Sequence, residues 1–241
     1  MDLKEEDILK DKIYTHWYYV SKGFALKHYI KDIKSECILD VGAGSGIFSR
    51  QLLETSSYSS STCVDISYPK EWDEVYKDKP IYFKKNIETT DADLVLMMDV
   101  LEHVEDDVAL LKSYVDKVQS GAYFLITVPA FQFLFSGHDL FLEHHRRYTS
   151  SMIQKTVKSA GLEVVRCHYF FGLLFPLIAG IRLFTKLKMK LLGKSFQAKS
   201  DLKLSAPFIN FTLIGIHKLE LLFFPINKLA GLSVFCLAKK K

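Results

Sequence analysis

Between His138 and Tyr148 the chain reads HDLFLEHHRRY, which places three histidines, two carboxylates, two arginines and a tyrosine within eleven residues. Such a run can take a proton from a hydroxyl and hold an anion. A neutral imidazole, with an ordinary pKa of about 6.5, suits the first task. His138 and His144 are therefore the candidate general bases, with Asp139 beside them, and Arg146, Arg147 and Tyr148 are the candidate acceptor contacts. His103, in the earlier Leu101-Glu102-His103, either faces the acceptor or caps the helix that follows. The plainer alternative for the cluster is a structural ion pair between Asp139 and Arg146 or Arg147. No metal is expected, because the spacing of these histidines and carboxylates matches no familiar ligand set.

A second group lies upstream, in DVGAGSGIFS from Asp40 to Ser49. Gly42, Gly44 and Gly46 alternate directly behind the apolar run Cys37-Ile38-Leu39. A glycine-rich turn from strand to helix lets backbone approach a ligand and aims the helix N-terminus at it. Asp65 closes the next apolar run, where a carboxylate can accept both hydroxyls of a ribose lying across the strand ends. Ile47 stands where the GxGxxG dinucleotide fingerprint requires a small residue, so a nucleoside without phosphates fits better.

The elements that must position these groups can be read from apolar runs bounded by turn signals, at Cys37–Val41, Thr62–Ile66, Ile81–Phe83, Leu94–Met98 and Tyr123–Val128. Helix-compatible stretches lie between several of them, the alternation of a parallel sheet covered on both faces. Ser45–Glu54 supplies the first crossover helix. Val104, Val108, Leu111 and Val115 share one face of a helix over 104–117, and Thr149 or Ser150 caps another that Gly161 stops. Leu162–His168 and Leu232–Ala238 read as the last two strands, with a long apolar and basic segment between them.

That segment divides the chain electrostatically. Residues 172–241 carry Arg182 and eleven lysines against Asp201 and Glu220, a net +10, which leaves the first 171 residues at −6 of the total +4. Mean hydropathy is high at +0.08. The run YFFGLLFPLIAGI over 169–181 is too short to span a bilayer, which takes about 20 apolar residues. Interfacial helices fit it, with Arg182, Lys186, Lys188, Lys190 and Lys194 available to anionic headgroups. The alternative is a homodimer interface or a substrate lid. With one arginine among many lysines interleaved with leucine and phenylalanine, nucleic acid is not an expected partner. The four cysteines form no CxxC pair, and MDLKEEDILK is too charged for a signal peptide, so a reducing cytoplasm is expected.

The motifs ILDVGAGSG, VDIS and DLVLMMDVLEHVEDD resemble those of the class I S-adenosylmethionine-dependent methyltransferases over roughly residues 35–168. The resemblance implies S-adenosylmethionine as cofactor and S-adenosylhomocysteine as product. Asp40 and the backbone of Gly42, Ala43, Gly44 and Gly46 would hold the methionine part, and Asp65 with Ile66 the ribose. Asn86 and Ile87 would flank the adenine, and Asp99 would lie beside the sulfonium. It also implies an α/β fold with a seven-stranded, doubly wound, mostly parallel sheet of order 3-2-1-4-5-7-6, its last strand antiparallel. The domain plan is then an N-terminal helical lid over 1–34, a core over 35–168, an amphipathic helical insertion over 169–231 and a final strand with a basic tail over 232–241. In the lid, THWYYVSKGFALKHYI offers aromatics at helical spacing, with Trp17 and Tyr18 over the cofactor or acceptor.

The expected function is O-methylation of a lipid-linked or membrane-proximal acceptor, such as a surface-glycan precursor sugar. Bacterial methyltransferases with HDxxxxHxRRY-like segments often belong to glycan pathways, and a peripheral position on the inner face of the cytoplasmic membrane follows from the insertion. The alternatives are a soluble small-molecule methyltransferase and a nonenzymatic S-adenosylmethionine-binding scaffold at the membrane.

Overall fold

The computed structural model describes residues 8–55, 57–193, 197–201 and 205–241. Lys194, one of the cations expected at the headgroups, lies outside the described residues. The frame is one eight-stranded sheet: β1 (Cys37–Val41), β2 (Ser60–Val64), β3 (Trp72–Tyr76), β4 (Lys79–Lys84), β5 (Leu94–Met98), β6 (Tyr123–Pro129), β7 (Leu162–Phe170) and β8 (Ser233–Lys240). Their order is β3-β4-β2-β1-β5-β6-β8-β7. The expected count of seven is therefore corrected by one. The added strand β3 lies antiparallel on β4 at the edge, while β8 runs antiparallel between β6 and β7.

Strand β3 has a local cause. Lys77 and Asp78 both adopt positive φ, 50° and 63°, which makes a two-residue hairpin turn whose twist matches its strands. Trp72 then stacks on Phe83 with ring centroids 4.2 Å apart. The central strands β1 and β5 are buried almost throughout, as expected for strands covered on both faces.

The helices are α1 (Trp17–Tyr29), α2 (Ile47–Leu53), α3 (Asp107–Val115), α4 (Gly137–Phe141), α5 (Ser150–Ser159), α6 (Phe175–Leu191) and α7 (Pro207–Glu220). Thr149 caps α5 by accepting from the Met152 N–H at 3.2 Å, and Gly161 beyond its end has φ 89°. One face of the sheet buries Tyr19, Leu26 and Tyr29 of α1 with Phe48 and Leu52 of α2. The other buries Leu111 of α3 with Ile153 and Val157 of α5. Helices α6 and α7 occupy the connection between β7 and β8. Pro176 and Pro207 fall in their first turns, where a missing N–H costs nothing, so these prolines start the helices. Among the described residues no helix is long and apolar enough to cross a membrane.

Candidate active site

The glycine turn leaves β1 and enters α2 with Gly46 at its N-cap. Gly44 and Gly46 have φ 52° and 70°. A β-carbon on Gly46 would sit 3.2 Å from Cys63 Sγ and 3.3 Å from the Phe83 ring, so the backbone conformation and the space both require glycine. Asp65 braces the turn: its Oδ2 accepts from the Gly44 N–H at 3.1 Å and its Oδ1 from the Ser67 N–H at 2.9 Å. Tyr68 donates to the Gly44 carbonyl at 2.6 Å. In the same turn the Ser45 hydroxyl is buried without a hydrogen-bond partner. A backbone cradle, a carboxylate with lone pairs to spare and an orphaned hydroxyl fit a nucleoside with a charged amino-acid arm. Asp40 stands behind the cradle. Burial pushes its carboxyl up to about 6, although the Ser49 hydroxyl donates to it at 2.8 Å. Of the residues expected to flank the adenine, Asn86 accepts from Lys117 at its Oδ1 at 3.1 Å and Ile87 at its carbonyl at 2.7 Å, and the Ile66 side chain is exposed.

Asp99 marks the end of β5 with φ 57°, a strained conformation for a residue with a side chain. Thr127 of β6 donates to its Oδ1 at 3.1 Å. From above, α1 supplies the Tyr18 hydroxyl at 3.0 Å from Oδ2 and the fully buried Lys22 ammonium, which pairs with the same oxygen. Burial alone would push this carboxyl up; the Lys22 charge and the Tyr18 bond outweigh it and hold it below the ordinary range. Tyr18 and Lys22 are one helical turn apart, so α1 closes over Asp99 by its periodicity. Tyr18 was expected over the cofactor or acceptor and here bonds Asp99, whereas Lys22 carries no local signal in the sequence.

Next to Asp99 opens a cavity of about 670 Å³. Trp17, Glu102, His103, His138 and His144 line one side, and α6 and α7 wall another through Ile178, Ile181 and Leu213. Trp17 stacks on His217 of α7, and its backbone N–H donates to Asn210 at 2.8 Å, which fixes α1 to α7.

The His138–Tyr148 cluster divides sharply. His144 Nδ1 lies 2.9 Å from Asp139 Oδ1. An ionised carboxylate only accepts, so Nδ1 carries a proton, and in the neutral imidazole Nε2 is then the nitrogen with the lone pair. Asp139 is fully buried and also takes bonds from Arg147 Nε at 2.6 Å, Arg147 Nη2 at 3.1 Å and the Ser136 N–H at 2.8 Å. Burial would raise its carboxyl, but His144 and the Arg147 guanidinium hold it well below the usual carboxylate range. Asp139 thus holds His144 and does not face the acceptor itself, and it forms with Arg147 the ion pair that was the plainer alternative for the cluster.

Two acceptor contacts, Arg146 and Tyr148, are corrected. Arg147 lines the cavity, with its guanidinium held by Asp139 and by the Ala130 carbonyl at 3.2 Å. Arg146 binds the carbonyls of Val104 and Glu105 outside the cavity, and the buried Tyr148 donates to Asp107 at 2.8 Å and Leu101 at 3.1 Å. Arg182, expected at headgroups, instead turns inward to Asp139 at 3.5 Å and Asp201 at 2.9 Å. His138 and His103 both line the cavity, and burial lowers each to about 4, which makes them poor bases at neutral pH.

Glu102 is a second residue that the sequence did not reveal. It is fully buried, neither carboxylate oxygen has a hydrogen-bond partner, and burial with the nearby Asp99 charge pushes its pKa well above the ordinary value. One of its oxygens and one ring nitrogen each of His103 and His144 lie within 4.8 Å of one another. A carboxylate and two imidazoles could hold a divalent first-row metal. Neither the adjacency of Glu102 and His103 nor the distant His144 signals this arrangement in sequence.

The sequence and the fold have counterparts among known proteins. Residues 21–166 match the family described as Methyltransferase domain. The chain belongs to that family. Its cofactor is S-adenosylmethionine, which the cradle and Asp65 would hold. Over 120 residues the chain is 30% identical to the mitochondrial ubiquinone biosynthesis O-methyltransferase of Candida albicans, a match covering 45% of this chain and 37% of that protein. A solved structure from Galdieria sulphuraria, described as a sarcosine dimethylglycine methyltransferase, aligns with a TM-score of 0.54 at 14% identity, over 93% of this chain and 86% of the other. An N-methyltransferase of Haemonchus contortus, in complex with phosphomonomethylethanolamine and S-adenosylhomocysteine, aligns with a TM-score of 0.51 at 16% identity, over 91% and 52%. These structural likenesses bear on the fold.

Proposed function

We propose that this methyltransferase acts on a hydroxyl of an amphiphilic, lipid-linked acceptor such as a surface-glycan precursor sugar. His144 is the general base and Asp139 its positioning residue. The observation that carries the reading is the buried Asp139–His144 pair, which leaves an Nε2 lone pair at a cavity walled by apolar side chains of α6 and α7.

The cofactor supplies a methyl carbon on a sulfonium, already a strong electrophile. What remains for the protein is alignment and removal of one proton. Trp17 and the apolar side chains of α6 and α7 line the cavity in which the acceptor hydroxyl would be aligned. When the acceptor oxygen takes the methyl group, His144 Nε2 would receive the hydroxyl proton. The imidazolium is stabilised by Asp139, whose own charge is fixed by Arg147. Similarity to a ubiquinone biosynthesis O-methyltransferase supports oxygen as the nucleophile.

Incubation with methyl-labelled cofactor and a membrane lipid extract tests the reading. Label should enter the organic phase, and His144→Ala should abolish this while S-adenosylhomocysteine binding persists. Activity that survives chelation assigns the proton to His144; loss on chelation and rescue by a divalent metal would assign the role to the Glu102, His103 and His144 set. Label only in water-soluble products would make the protein a soluble small-molecule methyltransferase, and no label anywhere would leave a binding scaffold.

A further inference from the structure

Helix α6 buries only Ala179, and the side of it that turns inward carries Arg182 and Lys186, which bind Asp139, Asp201 and the carbonyls of Leu134 and Phe133. The opposite side presents Leu177, Phe184, Leu187 and Leu191, spaced seven, three and four residues apart. All are exposed, Phe184 by 68% and Leu191 by 78%. Helix α7 repeats the pattern. Its inward side holds Asn210, His217 and Glu220, while Phe208 and Phe211 stand 80% and 77% exposed, continued by Leu219 and by Leu222 just past its end. Two helices of one connection, both flanking the same cavity, therefore each carry an exposed apolar stripe. An exposed apolar surface of this extent marks an interaction site.

The charges beside the stripes choose the partner. Helix α6 contains no acidic residue, and Lys188 and Lys190 are exposed along its outer flank. The one carboxylate of α7, Glu220, is buried against His217 at 3.0 Å. Lys228 is exposed in the turn that follows. Phenylalanine and leucine flanked by lysine alone match a bilayer with anionic headgroups, whereas the core of a protein interface is depleted in lysine. A helix of 17 residues with four cationic side chains also does not span a membrane.

We propose that the outward faces of α6 and α7 dock the enzyme on an anionic lipid surface, the inner face of the cytoplasmic membrane. The same two helices wall the acceptor cavity through Ile178, Ile181 and Leu213, so docking brings the cavity to the layer where the head of a lipid-linked acceptor lies. This deepens the acceptor reading above, but its assay needs no turnover.

Flotation with vesicles of phosphatidylglycerol and phosphatidylcholine, against phosphatidylcholine alone, is the test. The full chain should bind the anionic vesicles and bind less as salt rises from about 0.1 to 1 M, as screening shortens from about 10 to 3 Å. Each lysine at such a surface contributes about 1 kcal/mol, so K188E/K190E should weaken partition roughly thirtyfold or more. F184D/F211D should abolish it at any salt. Both pairs of side chains are exposed, so both variants should keep wild-type melting temperatures and S-adenosylhomocysteine affinity, which separates failure of docking from failure of the methyltransferase reading. A wild-type protein that ignores anionic vesicles would overturn the proposal. So would variants that bind as well as wild type, or a wild-type dimer that F184D/F211D splits into monomers.

Discussion

Replacing Asp139 with asparagine keeps the shape of the side chain and removes its charge, at a point where the consequences can be counted. The carboxylate receives the Ser136 N–H, His144 Nδ1–H and two bonds from Arg147, with Arg182 at 3.5 Å. An amide offers one oxygen and an NH₂ group, so at least one of these donors would face another donor. The buried Arg147 would also lose its counterion. Breaking a buried pair from one side costs about 3–5 kcal/mol, a large part of the roughly 5–15 kcal/mol that holds a domain folded. For a chain of this length each kcal/mol moves the melting temperature by about 2–4 °C, so circular dichroism should show a fall of roughly 6–20 °C. Below that transition, transfer of labelled methyl to lipid extract should drop by about 10²–10⁴, the usual cost of losing a general base. Adding His144→Ala should then cost little more, since the two residues act as one unit. Titration with S-adenosylhomocysteine should be unchanged, because the cradle lies on β1 and β2. A D139N protein that melts within about 2 °C of wild type and keeps its turnover would refute the Asp139–His144 argument.

Other consequences can be checked separately. Asp65→Ala should weaken S-adenosylhomocysteine binding roughly ten- to a hundredfold by calorimetry, the value of hydrogen bonds to a charged oxygen; unchanged affinity would remove Asp65 from the ribose site. His138 is half-buried at the cavity and desolvation lowers its pKa to about 4, so the unfolded chain binds its proton first as pH falls. Stability fully present above about 6.5 should therefore decline by up to about 3 kcal/mol on going to pH 4, and His138→Gln should flatten that part of the denaturation-versus-pH curve. Tyr148→Phe removes a buried hydroxyl shared between Asp107 and the Leu101 carbonyl. It should cost about 1–3 kcal/mol in urea titrations with turnover intact at moderate temperature; selective loss of acceptor affinity would return Tyr148 to the binding site.

Local rules carried much of this protein. The strands Cys37–Val41 and Leu94–Met98 end where their apolar runs end, and the α5 cap follows from Thr149 and Gly161, because burial on both sheet faces and capping act over a few residues. The glycine cradle and Asp65 were legible for the same reason, since a strand–turn–helix unit and the next strand end must meet. Strand β3 was not: WDEVY is half exposed at a sheet edge, and its hairpin turn uses Lys77-Asp78 in place of the glycine that usually announces one. The HDLFLEHHRRY run announced chemistry but not its division of labour. Its roles were settled by partners far along the chain: Arg182 reaching Asp139, Asp107 taking Tyr148, and Glu105 taking Arg146. Lys22 and Asp99, 77 residues apart, and Glu102 with His144 meet only because the sheet order brings the ends of β5 and β6 under α1. Composition fixed that the later part of the chain would be apolar and basic. Tertiary packing alone decided which of its cations turn inward to carboxylates and carbonyls and which stay outside beside the leucines and phenylalanines, because a buried guanidinium persists only where a fold delivers its counterion.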